Sequence, residues 1–282
     1  MMVMAVRSIL RYASIFILAT FLIFFLVSLS RQDRPEVIRE YVGWLQKLAH
    51  LDAGEAYEAG RKPADFLAER LKNTLFLSIG AVSVSCTVAI GMGLLLLKGY
   101  RRLFRTLEVF TYIATTIPVF LLCYIMEAIA FRADQDFLPT NDAYNVWFVV
   151  MGVVVLGIGN NALGDISRGV IAEIENIMGK AYLNAAKARG VSIWKHTAKA
   201  LLLSTMNMVS SRFILTVGTG VIIVEYVFRI QGIGLYILGA PESGSGRDVI
   251  LLITGILIGI VCIMYFINDL VRMLLDRRGS FN

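Results

Sequence analysis

The chain reads as an all-α membrane protein with six transmembrane helices, and three observations carry that expectation. Of its 282 residues 57% are hydrophobic, and the mean hydropathy of +0.70 is above what a soluble domain shows. The apolar residues gather in runs near 8–30, 73–97, 108–131, 144–164, 207–229 and 249–271, each close to the roughly 20 helical residues that a hydrocarbon core requires. Lysine and arginine collect in every second connection, as the positive-inside rule describes.

The charge pattern sets the expected orientation. Arg7 and Arg11 precede the first run, and Lys98, Arg101, Arg102 and Arg105 join the second to the third. Arg168, Lys180, Lys187, Arg189, Lys195 and Lys199 lie between the fourth and fifth, and Arg272, Arg277 and Arg278 follow the sixth. On the opposite side Asp134, Asp136 and Asp142 outweigh Arg132. Both termini are therefore expected in the cytoplasm, which requires an even number of spans. The net charge of +6 is explained by this topology, and no basic face remains for nucleic acid. Cys86, Cys123 and Cys262 all lie inside apolar runs, which suits small hydrophobes better than a disulfide framework or a metal cluster.

The first run is longer than the apolar core of a cleaved signal, and Arg31-Gln32-Asp33-Arg34 follows it in place of small residues, so it is read as a span. Residues 31–72 form an extracytoplasmic amphipathic segment in which Tyr41, Trp44, Leu45 and Leu48 share a helical face. Tyr41 and Trp44 suit the interfacial belt of a helix lying on the membrane. In the third span Pro118 removes a backbone hydrogen bond and predicts a kink, with Thr115 and Thr116 placed to satisfy the freed carbonyl. The kink is equally consistent with plain architecture and with a pathway-lining role. Glu127, in the same span, is too costly to face lipid, so it is expected toward the bundle interior or water, with Arg132 as its structural partner or a solute as its contact. In the fourth span Gly152, Gly157, Gly159 and Gly164 predict close helix packing, and Asn160 and Asn161 predict amide bonds across helices.

The connection 165–205 is polar, basic and helix-forming between two apolar runs. Ala181, Ala185 and Ala188 fall on one helical face, Lys187 and Arg189 occupy the last turn, and Gly190 follows as a cap. Ser192 is placed to cap a second helix from Ile193 into Leu201. Two short helices at a glycine bend make a docking knob on the aqueous side. At the outer end of the fifth span Glu225 and Arg229 are an i, i+4 pair in the favourable order, readable as a salt bridge or as an external gate. Gly232 and Gly234 supply a flexible turn beyond them.

The stretch Asn184-Ala185-Ala186-Lys187-Ala188-Arg189-Gly190 resembles the E-A-A-x-x-x-G loop of ATP-binding-cassette (ABC) importer permeases, with Asn184 at the place of the glutamate. Tyr41-Val42-Gly43-Trp44-Leu45, Leu51-Asp52-Ala53-Gly54, Arg70-Leu71-Lys72-Asn73-Thr74-Leu75 and Ile117-Pro118-Val119-Phe120 follow the order seen in the peptide- and nickel-importer branch. So does the frame of Glu225, Val227, Phe228, Gly232 and Gly234, with Arg247-Asp248 before the last span. Departures include Gln231 for a proline, Ile233 for a leucine, and Ala200 and Ser204 where that family often has Asn and Pro. The resemblance implies one permease domain over 1–282 with the type I importer fold, in a bacterial inner membrane. It implies ATPase coupling through Ala181, Tyr182, Asn184, Ala185, Ala186, Lys187, Ala188, Arg189 and Gly190, within the 181–200 helices. It also implies a second, homologous permease as heterodimer partner, two ATPase subunits and an extracytoplasmic solute-binding protein. The solute is open between a peptide, a nickel chelate and another small molecule.

No G-x-x-x-x-G-K-[ST] loop and no Ser/His/Asp or two-carboxylate constellation is present, so the chain reads as a transport subunit and not an enzyme. His50 and His196 fall on opposite sides of the membrane and offer no metal site, and no cofactor is expected. The rival class, a secondary transporter, calls for inverted repeats and mid-membrane charges, whereas here no repeat is evident and the charges lie near span ends.

Overall fold

A computed structural model describes residues 2–29, 37–50, 63–133, 146–159, 161–180, 188–190, 193–239 and 246–275. Among them the regular structure is helical. The helices are α1 (Met2–Leu29), α2 (Val37–Ala49), α3 (Pro63–Leu97), α4 (Arg101–Thr116), α5 (Val119–Ala133), α6 (Val146–Ile158), α7 (Ala162–Met178), α8 (Ile193–Leu215), α9 (Val221–Val227), α10 (Ile233–Gly239) and α11 (Gly246–Leu275), with a π-helical turn at Thr216–Gly220 between α8 and α9. Val6–Ser28, Leu67–Leu97, Thr205–Val227 and Ile250–Leu274 are long and apolar enough to cross a membrane unaided. The bent pairs α4–α5 and α6–α7 raise the number of candidate spans to six if each pair counts as one.

The residues separate into two compact units, one joining Met1–Thr74 with Gln231–Asn282 and the other comprising Leu75–Ile230. In the first, α1 lies along α11. Tyr12 Oη donates to Asp269 Oδ2 at 2.8 Å, and the Tyr12 and Tyr265 rings stack at 6.4 Å. Helix α2 does not present its aromatic face to an interfacial belt. Tyr41 and Trp44 are buried with Phe24 and Leu251, and Tyr41 Oη donates to the Ile17 carbonyl at 3.0 Å. Large rings gain more from close packing than from a half-wet position once the phenol finds an acceptor. Gly255 leaves the room, since a methyl there would meet Trp44 Cη2 at 3.0 Å.

The second unit is built around Leu77, Cys123, Leu156, Val221, Val224 and Phe228, contributed by α3, α5, α6, α9 and the residue that ends α9. The fourth-run glycines do pack as their residue type suggests. A Cβ on Gly157 would stand 2.8 Å from the Ala81 carbonyl oxygen, and one on Gly152 2.9 Å from Val224 Cγ1. With α3 and α6 in contact at Gly157, Ser85 Oγ donates to the Gly157 carbonyl at 2.6 Å. Small residues admit this approach, and the hydroxyl strengthens it where water is absent. Asn161 makes no buried bridge. It is exposed, with φ 57°, in the break that turns α7 by 49° from α6; asparagine tolerates that left-handed conformation better than most residues.

The third run also departs from expectation. Pro118 breaks it, leaving α4 and α5 bent by 99°. Ile117 is extended, at φ −80° and ψ 123°, because the proline ring excludes the α conformation from the preceding residue. The threonines do not serve the carbonyl that proline deprives of its donor, that of Ala114. Thr115 Oγ1 donates to Thr111 O at 2.9 Å and Thr116 Oγ1 to Tyr112 O at 2.6 Å. Nor does a turn interrupt the approach to the fifth run. Helix α8 extends past Leu201 and through Ser204 without a break, since serine, unlike proline, keeps its N–H and its φ freedom. At Thr216–Gly220 the helix widens, the Val221 N–H reaching back to Thr216 O, a π turn of the kind that marks functional helices.

Two outcomes follow from this packing. Gly157→Ala should lower the thermal midpoint of the purified protein, at a cost of about 1–3 kcal/mol for forcing a methyl against backbone. Gly91→Ala, where nothing lies within 4 Å, should leave it unchanged or raise it. Pro118→Ala should lengthen the distance between spin labels at positions 109 and 125. An unchanged distance would assign the bend to packing and not to the proline.

Candidate functional site

Three regions carry the residues singled out by their chemistry. The first is the stretch 181–190, expected to form the docking knob. Ala181, Tyr182, Asn184, Ala185, Ala186 and Lys187 lie outside the described residues. Ala188 is helical, Arg189 lies in the following turn, and all of Ala188, Arg189 and Gly190 are exposed. Gly190 has φ 68°, the left-handed value at which glycine ends a helix without a Cβ penalty. Ahead of the knob, residues 165–178 belong to α7, whose Ile166, Val170 and Ile174 are buried against Ala89 of α3. The connection thus starts as a packed helix.

The second region is the C-terminal part of the fifth run. Glu225 and Phe228 are buried, at 0% and 2% exposure, so the carboxyl is enclosed by protein and does not meet lipid. The i, i+4 helical relation with Arg229 is not kept, because α9 ends at Val227 and Arg229 takes φ 50°. The Ile230 N–H returns to Glu225 O at 3.0 Å, the six-to-one bond of a Schellman ending, with Arg229 where glycine is usual. Arg229 as a residue is exposed.

Gly232 and Gly234 do not form a flexible turn. Both are buried, neither has a positive φ, and Gly234 lies in the first turn of α10. The segment is tied down by α3: Asn73 Nδ2 donates to Gln231 O at 2.8 Å, and the Ile233 N–H donates to Thr74 Oγ1 at 2.9 Å. The Arg70 guanidinium lies 5.3 Å over the Tyr236 ring. Two motifs some 158 residues apart thereby become one structure. Arg247 and Asp248 lie in the first turn of α11, and their side chains are outside the described set.

Glu127 occupies the third region, half-buried on α5, in an open groove with Tyr124, Ala128, Phe131 and Arg132. Among the described residues it makes no ion pair with Arg132, which lies five positions on and so off its face of the helix. Pro118 is exposed at the α4–α5 break.

One constellation was not legible in the chain. Asp165, on the first turn of α7, forms ion pairs with both Arg168, one turn later, and Arg212 of α8. The Arg168 guanidinium lies 5.8 Å over the ring of Tyr112 on α4. Gly164 leaves the space, since a Cβ there would meet Thr115 Cγ2 at 2.9 Å and Arg168 Nη1 at 3.4 Å. The only sequence signal was an arginine, Arg212, inside an otherwise apolar run. Among the described residues no group of three or more metal-ligating side chains assembles.

Comparison with known proteins bears on all three regions. The model of the family described as "Binding-protein-dependent transport system inner membrane component" matches residues 85–278. The "Probable peptide ABC transporter permease protein" of Sinorhizobium fredii is 26% identical over 256 residues, covering 85% of this chain and 79% of that protein. The dipeptide transport system permease protein DppB of Bacillus subtilis is 26% identical over 257 residues, covering 87% and 80%. With bent apolar helices, glycine-mediated packing and a matched segment that runs from α3 into the tail, the chain belongs to the family of binding-protein-dependent transport system inner membrane components.

Proposed function

We propose that this chain is the transmembrane permease subunit of an ATP-driven ABC importer and forms half of the translocation pathway for a peptide-like solute. The observation that carries the reading is the family match over residues 85–278, which includes the 181–200 helices, the Glu225–Gly234 segment and the last span. Relatives named as peptide permeases over most of their length support the solute class. Each bent pair is taken as one span, giving six, and the lysine and arginine pattern puts both termini in the cytoplasm. A second, homologous permease completes the pathway. Two ATPase subunits dock on Ala181–Gly190 and within the 181–200 helices, and their closure on ATP is passed through α8, which runs unbroken from Ile193 to Leu215, into the fifth span. Hydrolysis belongs to those partners. A solute-binding protein delivers at the outer face, where Glu225, Phe228, Arg229, Gly232, Gly234, Arg247 and Asp248 form the external gate. Pro118 and Glu127 belong to the pathway wall.

The small face of the 181–188 helix makes the sharpest test of coupling. Ala185→Glu should abolish solute uptake in cells while leaving the amount of protein in the membrane unchanged; normal uptake would show that the ATPase docks elsewhere. Topology is checked by Lys187→Cys and Glu242→Cys. An impermeant thiol reagent applied from outside should label position 242 in intact cells and reach position 187 only after the membrane is opened.

A further inference from the structure

Beyond counting Arg168 in the charge pattern, the reading above gives the Asp165 cluster no role, yet it brings three charged side chains of α7 and α8 together. Two guanidiniums, Arg168 and Arg212, share one carboxylate, so the group carries one surplus positive charge. Arg212 lies inside the apolar span Thr205–Val227, and the cluster is not sealed. Side-chain exposure is 49% for Arg168 and 25% for both Asp165 and Arg212. On α4, Tyr112 and Thr116 are exposed beside it.

Charged groups exposed at the level of a span do not stably face lipid; they face water, protein or a pathway. A net positive group that is only partly solvated attracts an anion over several ångströms. Arg168 is the member suited to receive one. Asp165 engages its Nη2 atom, the Tyr112 ring supports its plane, and Gly164, having no Cβ, leaves room for both Thr115 of α4 and the guanidinium. An arginine fork held in that way has donors left for a carboxylate.

We propose that the open face of the Asp165–Arg168–Arg212 cluster, where α4, α7 and α8 meet, borders the translocation pathway and that Arg168 there takes a carboxylate of the passing solute. This rests on the permease reading. Asp165 tempers the site: it cancels one of the two guanidiniums, so the anion is held weakly enough to move on. Gly164 and Tyr112 position the fork.

The experiment uses the assembled transporter in proteoliposomes, with Cys86, Cys123 and Cys262 replaced by alanine and Thr116→Cys placed one turn from Tyr112. Anionic and cationic methanethiosulfonate reagents of similar size serve as probes, and modification is read on this chain by mass. The anionic reagent should react about tenfold faster, the scale of a single unscreened charge at this range. Arg168→Gln should remove the preference, Arg168→Lys should keep most of it, and Asp165→Asn should increase it. A position 116 that neither reagent reaches, or a preference that survives Arg168→Gln, would overturn the proposal. So would loss of the preference in Asp165→Asn, because a purely structural staple is weakened by that change. Uptake of a dipeptide is measured in the same vesicles, where Arg168→Gln should reduce it severalfold; uptake equal to the parent's would overturn the role in passage. If the parent itself takes up no dipeptide while the charge preference holds, the peptide assignment fails and the anion site stands.

Discussion

Backbone N–H and C=O groups placed beyond the reach of water must bond to one another, and the rest of this structure depends on that requirement. It makes the described residues helical and confines irregular backbone to places where side chains or neighbouring helices take up the strain. Among the described residues, Ile117-Pro118 splits one apolar run, a bend between α6 and α7 splits another, and Thr216–Gly220 widens a third. All three lie in the Leu75–Ile230 unit, the unit that also holds Glu225 and the Asp165 cluster. Regular helix dominates elsewhere: α1 is exposed along much of its length, as Leu10 at 63% and Leu18 at 73% show, and it needs only an apolar surround.

Close packing is the second theme, and it follows from the first. Where lipid is as apolar as a leucine, helices associate through fit and through hydrogen bonds, without a hydrophobic driving force. Gly157 against Ala81, with Ser85 bonding across, combines both at one point. Gly169 leaves room for the Met208 thioether of α8 against α7. The long helix α8 thus lies along α7. That arrangement suits a helix proposed to carry movement from a docking surface into a span.

Charge is used sparingly and with partners. The cross-helix contacts at Asp165 join α7 to α8, and the cation–π contact joins α7 to α4. Arg229 takes a left-handed backbone where glycine is usual. A side chain there costs of order 1 kcal/mol. The segment from Gln231 on, held by Asn73 and Thr74, is a built element and not a slack loop.

The amino-acid order alone determined the helical class, the apolar runs, the glycines that bring helices together and the family resemblance, because each depends on local composition or short spacing. Gly190 also followed from its neighbours, since a helix ending has a local signature. Tertiary structure decided what depends on distant partners. Tyr41 and Trp44 turned inward because α1 and α11 offered a groove and an acceptor. Pro118 bent its run as expected, but how far it bent, 99°, was not written in the local order. Arg229 took a left-handed backbone because α9 ended ahead of it. Asp165, Arg168 and Arg212 became one cluster only when α7 and α8 came side by side, and no periodicity within either helix encodes which arginine of the other it will meet.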